Sequence, residues 1–346
     1  MKSNEAESII TKVKKEMGSR MVILGHHYQS DDVLKFADFI GDSLELARKA
    51  SVIEDAEVLV FCGVYFMAET AFILAQGKSV YIPDVDAGCP LADMARIEDV
   101  THAWERICSV SDSVVPMTYV NSSASIKAFC GENDGIVCTS GNAYEAFAWS
   151  LSVKDKVFFM PDRNLGRNTA YKMNIADDLI IQWDPGKPDG GLVDDEIARA
   201  RVILWKGWCP VHWPDFSRES VENIRRDHPG IKIIVHPESD PDTVKASDAS
   251  GSTAQIIEYL KGMKIGDSVA IGTEFNMVSR LSDNYHSILM VLPLRKQLCS
   301  DMAKITLEKL ALTLSSLDQD TYRVKVDDKI AQDALKALQN MLRIRT

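Results

Sequence analysis

Three of the seven cysteines lie where chemistry on a bound ligand could take place. Cys89, Cys209 and Cys299 each follow an apolar, strand-like segment, in the contexts DAGCPLAD, KGWCPVH and KQLCSDM. Pro90 and Pro210 directly follow the first two, and a fixed proline φ stiffens the turn that carries the sulfur. Thiolates favour zinc or iron–sulfur clusters over magnesium or calcium. On a cubane iron–sulfur cluster, three thiolates would leave one iron open as a Lewis acid, as in a three-ligand catalytic zinc site.

The alternative for a dispersed cysteine is a place in the hydrophobic core, and spacing alone does not exclude it. An odd number of cysteines without a CxxC pair does not form the disulfide framework of a secreted domain. Cys62 and Cys138 end apolar segments, while Cys108 and Cys130 lie in helical patterns. We expect these four to pack in the core, and keep metal binding and packing open for the other three.

Polar residues that could move protons also follow apolar segments. His26 and His236 suit acid–base catalysis near neutral pH, because the unperturbed pKa of histidine is about 6.5. Glu238 lies two residues after His236. The phenols of Tyr28 and Tyr119 could donate or relay a proton.

Serine and threonine residues near expected helix N-termini form a second polar set. Ser252 and Thr253 follow Gly251 in SGSTAQII, and Ser43 and Ser140 lie in the similar contexts GDSLELA and CTSGNA. Free N–H groups and the helix dipole favour an anion at such positions. The alternative is that each hydroxyl only caps its own helix.

The elements that must position these residues follow one pattern, repeated three times. Apolar segments end in polar loops and lead into amphipathic helices, which predicts βα units in parallel sheets. We therefore predict an α/β protein with three similar αβα domains at residues 1–108, 109–200 and 201–300, and a helical tail at 301–346. The segment RVILWKGWCPVH is assigned to the third domain. Because ligands of open α/β sheets bind outside the carboxyl ends of the strands, three facing edges would put the site at the centre.

The composition excludes some classes of partner. The formal net charge is −11, with no block of lysine and arginine to offset it, which argues against binding nucleic acid. No apolar segment approaches the roughly 18–20 residues that span a bilayer. The N-terminal residues are charged and helix-like, without the apolar region of a signal peptide. We expect a cytoplasmic protein that binds neither nucleic acid nor membrane.

Motifs along most of the chain resemble the quinolinate synthase family, iron–sulfur enzymes of NAD biosynthesis. They span roughly residues 20–310 and read GHHYQ, GDSLELA, FMAETA, DAGCPLADM, YVNSSASIKA, CTSGNA, MPDRNLG, GWCPVH, VHPES, ASGSTAQII, GTEFNMV and CSDMAKITLEKL. The resemblance implies three αβα domains around a pseudo-threefold axis, with the active site and one [4Fe–4S] cluster where they meet. The matching cysteines Cys89, Cys209 and Cys299 would hold the cluster, and its open iron would act as a Lewis acid. Enzymes of this family condense iminoaspartate with dihydroxyacetone phosphate to quinolinate, phosphate and water.

The same resemblance implies roles for individual residues. Catalytic roles fall to His26, Tyr28, Tyr119, His236 and Glu238. The expected substrate-binding residues are His26, Ser43, Tyr119, Asn121, Ser140, His236, Glu238, Ser252 and Thr253. His27, His212, Asp42 and Glu274, together with the tail, are given no role.

Partners and alternatives complete the expectation. The implied partners are the two small-molecule substrates and a transient contact with an aspartate-oxidising enzyme that supplies the imine. Two other functions stay open, namely a different cluster-dependent hydro-lyase and an iron–sulfur sensor protein.

Overall fold

The computed structural model describes residues 1–344, whose strands form three separate sheets in which every pairing is parallel. The first sheet has the order β2-β1-β3-β4 and contains β1 (Met21–His26), β2 (Phe39–Gly41), β3 (Val58–Cys62) and β4 (Ser79–Tyr81). The middle sheet has the order β6-β5-β7-β9-β8 and contains β5 (Val114–Tyr119), β6 (Ile136–Cys138), β7 (Lys156–Met160), β8 (Ile180–Trp183) and β9 (Val202–Trp205). The third sheet has the order β11-β10-β12-β13 and contains β10 (Lys232–Val235), β11 (Ala249–Ser250), β12 (Ser268–Gly272) and β13 (Met290–Pro293). The predicted α/β class with three parallel-sheet domains is confirmed.

Helices connect the strands, as parallel pairing requires. Those of the first block are α1 (Ser3–Met17), α2 (Asp31–Leu34), α3 (Ser43–Val52), α4 (Tyr65–Leu74), α5 (Pro90–Asp93) and α6 (Ile97–Cys108). Those of the middle block are α7 (Ala124–Glu132), α8 (Ala143–Val153), α9 (Arg163–Lys172) and α10 (Asp194–Arg199). The third block and the tail contain α11 (Arg218–Asp227), α12 (Pro241–Ala246), α13 (Thr253–Lys261), α14 (Phe275–Tyr285), α15 (Leu307–Leu314) and α16 (Asp328–Arg343). Short 3₁₀ helices lie at Gly18–Arg20, Asp177–Leu179, Pro188–Gly191, Met302–Lys304 and Asp320–Tyr322.

The central strands are apolar because helices cover both faces of each sheet. Strands β5, β7 and β9 are buried along their whole length, as expected for a parallel sheet between two helical layers. The first and middle sheets and the tail share one continuous core, whereas the third sheet packs two smaller cores. No helix among residues 1–344 is long and apolar enough to cross a membrane.

The first and third blocks repeat one another with a constant offset of 210 positions (236 − 26). Ile23 donates its N–H to the Asp38 carboxylate at 2.8 Å, and Ile233 donates its N–H to Asp248 at 2.9 Å. The registers β1–β2 and β10–β11 agree with the same offset. The chain therefore delivers His26 and His236 to equivalent sheet edges.

One assignment from the sequence is wrong. The segment at β9 was placed in the third block, but β9 pairs with β7 and β8 in the middle sheet. The error arises because β9 is the fifth strand of the middle sheet, and an apolar segment does not reveal which sheet it joins. The boundary at residues 200 and 201 stays a prediction, and the sheet membership favours a third block that starts after Trp205.

The tail packs back onto the first two blocks. Helix α15 contacts α1, and α16 lies against α7 and β6. The predicted tail contains α15 and α16 with non-helical segments between them, and its last two residues lie outside the described residues. The close approach needs Gly131 on α7, where an added Cβ would lie 1.8 Å from the Asp333 carbonyl oxygen.

Candidate active site

A cavity of about 290 Å³ lies at the carboxyl ends of the three sheets and is lined by residues of all three blocks. Most of the sequence-predicted site residues line it: His26, Tyr28, Ser43, Cys89, Tyr119, Asn121, Ser140, Cys209, His236, Glu238, Thr253 and Cys299. Ser252 is the exception, because its hydroxyl caps α13 by accepting from the Gln255 N–H at 3.3 Å. The fold therefore brings residues 273 positions apart into one enclosure (299 − 26).

The three cysteines reach the cavity from different elements. Cys89 is the N-cap of α5, and the N–H groups of Leu91 and Ala92 face its sulfur. Those of Asp301 and Met302 face Cys299. Burial raises the pKa of the Cys89 thiol to about 12, while the facing N–H groups act in the opposite direction by favouring the thiolate.

Cys209 is held through its backbone. Its N–H donates to the Asp162 carboxylate at 3.0 Å, and Asp162 also caps α9 through the N–H groups of Asn164 and Leu165. Burial, followed by the charges of Glu238 and Cys89, raises the pKa of the Cys209 thiol well above its ordinary value. One buried carboxyl thus ties the cysteine turn to the start of a helix.

Two sets of donor atoms in the cavity could hold metal. Among residues 1–344, the three donor atoms that lie within 4.8 Å of one another belong to Cys209, His212 and Glu238, and this group could hold a metal ion. The sulfurs of Cys89, Cys209 and Cys299 do not form such a group. Two thiolates on one zinc ion at 2.3 Å would be about 3.8 Å apart. Three cysteine thiols that line one cavity are a donor set of the kind that holds zinc or an iron–sulfur cluster.

The remaining cysteines stay outside the cavity. Cys62, Cys130 and Cys138 are fully buried in the core, and Cys108 ends α6. Burial raises the pKa of Cys62 to about 12 and of Cys138 well above its ordinary value, which keeps both thiols protonated. The expectation of core packing is met for these three buried residues, while Cys108 is only partly buried.

Glu238 is the centre of a buried hydrogen-bond network. It accepts from the Tyr119 hydroxyl at one carboxylate oxygen and from His212 Nδ1 at 2.8 Å at the other. Burial raises the pKa of Glu238, but the neighbouring imidazoles and these two donors outweigh burial and hold it below its ordinary value. The Glu238 side chain is therefore an ionised carboxylate with both oxygens occupied.

Tyr28 and Thr273 extend the network beyond His212. The Tyr28 hydroxyl lies 2.7 Å from Thr273 Oγ1 and 3.5 Å from His212 Nε2, and Thr273 Oγ1 lies 3.2 Å from the same nitrogen. Burial, with the charge of Glu238, raises the pKa values of Tyr28 and Tyr119 well above 10. Both phenols remain protonated and can serve as donors.

His26 and His236, at equivalent sheet edges, share one tautomer. His26 Nδ1 accepts from the Tyr28 N–H at 3.2 Å, and His236 Nδ1 accepts from the Glu238 N–H at 3.4 Å. The proton must then be on Nε2, and His236 Nε2 lies 3.2 Å from Ser140 Oγ. The His236 ring also stacks on His212, with centroids 4.3 Å apart.

The sequence-based expectation that these imidazoles titrate near neutral pH is wrong. Burial is the largest cause that lowers the pKa of His26 well below 6.5 and that of His236 to about 3. Burial was not visible in the sequence, where only the unperturbed value applied. At neutral pH both rings are neutral and offer Nε2–H as a hydrogen-bond donor.

Among the described residues, the lining offers hydroxyls and helix N-termini to an anion, but no cationic side chain. Ser43 and Thr253 are the first residues of α3 and α13. Ser140 lies two residues before Asn142, the N-cap of α8, so it does not share that position. The lining residues of the cavity include no lysine or arginine. Helix dipoles and N–H groups at the two termini favour an anion there.

Residues that the sequence left without a role now have positions. Asp42 lines the cavity and caps α3 in a capping box with Glu45, and His27 Nε2 lies 3.8 Å from the Glu45 carboxylate. Glu274 caps α14 and is fully buried. Asn121 lines the cavity, and its buried Oδ1 has no protein partner, so it is free to accept from a ligand.

The chain matches the family model described as "Quinolinate synthetase A protein" over residues 8–343. The chain belongs to the quinolinate synthetase A family. A relative from a Nocardioides species, named quinolinate synthase, is 46% identical over 95% of this chain and 86% of its own length. Relatives of the same name from Bacillus anthracis and Bacillus cereus are 42% and 41% identical over 99% of this chain and 94% of theirs. The match to the quinolinate synthetase A family extends into the tail, beyond the last motif recognised in the sequence.

Sequence reasoning missed several residues of this quinolinate synthetase A site. His212 was noted beside Cys209 without a role, although it bonds Glu238. Thr273 and Asp162 were not singled out, because a threonine and an aspartate after apolar strands are common helix-start residues. Their full burial, which sets them apart, becomes visible only in the folded chain.

Proposed function

We propose that the chain is a quinolinate synthase, which condenses iminoaspartate with dihydroxyacetone phosphate to quinolinate, phosphate and two molecules of water. The observation that carries the proposal is one cavity that gathers Cys89, Cys209 and Cys299 from three different sheet edges. Membership of the quinolinate synthetase A family and relatives named quinolinate synthase support it.

The proposal includes one [4Fe–4S] cluster held by Cys89, Cys209 and Cys299. When bound, the cluster supplies one iron without a protein ligand, which acts as a Lewis acid. Because metal binding requires thiolates, the N–H groups that face Cys89 and Cys299 favour the ligating form.

Binding of the two anionic substrates falls to the helix ends and hydroxyls. Ser43 and Thr253 present hydroxyls and N–H groups at α3 and α13 to carboxylate or phosphate oxygens. The unpartnered Asn121 oxygen accepts from a substrate N–H or hydroxyl. His26 and His236 donate from Nε2 and orient substrate oxygens.

Proton transfer falls to the buried network. The Glu238 carboxylate is the base, since it is ionised and lines the cavity. Tyr119 and His212 stabilise its negative charge by donating to its two oxygens. The protonated phenol of Tyr28, held by Thr273, donates to a departing hydroxyl.

The proposal also includes the cellular compartment and the source of the imine. All seven cysteines are free thiols, which fits a reducing, cytoplasmic compartment. An aspartate-oxidising enzyme is the proposed source of the imine, through a transient contact.

The decisive experiment is a turnover assay under anaerobic conditions. Reconstituted protein receives both substrates, and quinolinate is measured by mass spectrometry, with each substrate omitted in turn. We expect quinolinate only when both are present. A protein with an intact cluster that forms none, but hydrates or dehydrates another carboxylic acid, would contradict the proposal and support the hydro-lyase alternative.

A further inference from the structure

Helix α14 of the third block holds the loop that follows β1 of the first block. Asn276 Nδ2 donates to the Tyr28 carbonyl at 3.1 Å. Arg280 donates through one nitrogen to the His27 carbonyl and through another to the Gln29 carbonyl at 3.2 Å. Three consecutive carbonyls thus accept from two residues one helical turn apart.

Helix α9 of the middle block holds the equivalent loop of the third block. Asn164 Nδ2 donates to the Glu238 carbonyl at 3.2 Å. Asn168 Nδ2 donates to the carbonyls of Pro237 and Ser239, both at 2.8 Å. Again three consecutive carbonyls accept from two residues that are four positions apart on one helix.

The two arrangements are the same device. Tyr28 and Glu238 differ by the repeat offset of 210 positions, and both carry side chains that line the cavity. Each helix follows the third strand of its own block, namely β7 before α9 and β12 before α14. Residues four apart lie on one helix face, which lets a pair reach three neighbouring carbonyls.

A related contact completes the ring of three blocks. Helix α4 of the first block presents Glu69, whose carboxylate accepts the Ala124 N–H of the middle block at 3.1 Å. Within that block, Lys127 Nζ donates to the Ser122 carbonyl at 2.5 Å. Each block therefore contacts the next block through the helix that follows its third strand, and α9 and α14 do so by binding loop carbonyls.

We propose that Asn276 with Arg280, and Asn164 with Asn168, are positioning residues for the reaction. These two pairs, the carbonyl clamps, fix the backbone of the loops so that Tyr28 and Glu238 meet His212 at hydrogen-bond distance. This inference rests on the proposed function. None of the four side chains lines the cavity, so they act through the residues they hold.

Physical chemistry gives the clamps their effect. The carbonyls of Pro237, Glu238 and Ser239 belong to buried residues, where an unpaired acceptor is costly and would pull the loop toward another donor. Reacting groups tolerate little displacement, since a shift of about 1 Å can reduce a rate by about 10²-fold. A clamp variant should therefore retain the cavity but lose the alignment of Tyr28 or Glu238 with His212.

The test combines kinetics with a measurement that does not need the reaction. Arg280→Met and Asn168→Leu are compared with Arg225→Met and Asn340→Leu, whose side chains also donate to backbone carbonyls but away from the cavity. We expect kcat to fall about 10- to 100-fold in the clamp variants with iron content unchanged and KM within about threefold. The controls should stay within about twofold of the wild type.

Hydrogen exchange followed by mass spectrometry supplies the second readout. Arg280→Met should raise exchange about tenfold at residues 27–31 and leave 237–240 unchanged, and Asn168→Leu should do the reverse. The exchange measurement does not depend on quinolinate formation by the wild type. It therefore distinguishes a failure of the proposed function from a failure of the proposed positioning role.

Two further variants keep the inference falsifiable if Arg280→Met does not fold. Arg280→Lys keeps one cationic donor and should recover part of kcat. In Arg280→Ala, added millimolar guanidinium should raise kcat, because it can replace the missing donor. Wild-type kcat and exchange in every clamp variant would overturn the inference. Equal exchange increases in both loops would also overturn it, because they indicate general loosening.

Discussion

Glu238 has both carboxylate oxygens occupied by donors from different blocks, Tyr119 and His212. A buried carboxylate with two such donors stays ionised and points in one direction. Charge and orientation are the two properties that a base in this cavity needs. A single side chain therefore connects the middle-block phenol, the turn after Cys209 and the third-block loop.

Replacement of this carboxylate by its amide tests that role. Glu238→Gln keeps the shape but removes the charge and turns one acceptor into a donor that faces Tyr119 or His212. We expect kcat for quinolinate formation to fall by about 10²- to 10⁴-fold while the iron content is retained. Glu222→Gln, at an exposed carboxylate paired with Arg218, is the matched control. Similar kcat values for the two variants would contradict the role given to Glu238.

Lys127 is a fully buried lysine, and its burial determines how its protonation affects stability as the pH changes. Burial lowers its pKa from 10.5 to about 8, although the charge of Glu69 acts in the opposite direction. Between pH 8 and 10.5 this lysine binds more protons in the unfolded chain than in the folded one, so its own contribution to the free energy of unfolding should rise with pH in that window. The contribution amounts to at most about 3 kcal/mol.

Thermal unfolding of cluster-free protein at pH 7.5 and pH 10 measures this effect. In Lys127→Met the side chain no longer titrates, so the rise attributed to Lys127 should be missing relative to the wild type. An identical pH dependence of the two midpoints would show that Lys127 is not buried in its neutral form.

At the scale of elements, the backbone of the tail helix α16 packs closely against α7 at Gly131. An alanine at Gly131 would place its Cβ 1.8 Å from the Asp333 carbonyl oxygen and 2.8 Å from the carbonyl carbon. Neither backbone atom can rotate away as a side chain does, so α16 must shift. The tail helix is thus a structural part of the middle block.

Gly131→Ala should lower the free energy of unfolding by about 2–3 kcal/mol, which is the usual scale of overpacking. Gly262→Ala is the matched control, because its nearest neighbour would lie at an ordinary 3.5 Å and its φ is −79°. Thermal unfolding of both variants gives the comparison. Equal midpoints would mean that α16 does not pack against α7 as described.

For the whole molecule, the sequence was sufficient for the class of fold, and most of the residues that it predicted for the site line the cavity. Strand-like segments with polar ends predicted parallel sheets, and the motifs around Cys89, Cys209 and Cys299 singled out residues that all line the cavity. The prediction failed at β9, because the strand order of a sheet depends on pairing that an apolar segment does not encode.

Other features depended on contacts between distant parts of the chain. The lowered pKa values of His26 and His236 follow from burial, which the sequence does not display. The carbonyl clamps escaped notice because an asparagine or arginine inside a helix has the composition of a surface residue. Their partners lie at least 69 residues away.

The central claim is that three sheet edges deliver Cys89, Cys209 and Cys299 to one iron–sulfur cluster. The most direct test is the iron content of anaerobically reconstituted protein, measured for the wild type and for single replacements of each cysteine by alanine. We predict about four irons per chain in the wild type and in the Cys108→Ala control, and loss of the cluster and of quinolinate formation in Cys89→Ala, Cys209→Ala and Cys299→Ala. A wild type that is fully active without iron, or a Cys209→Ala variant with undiminished iron and activity, would contradict the account.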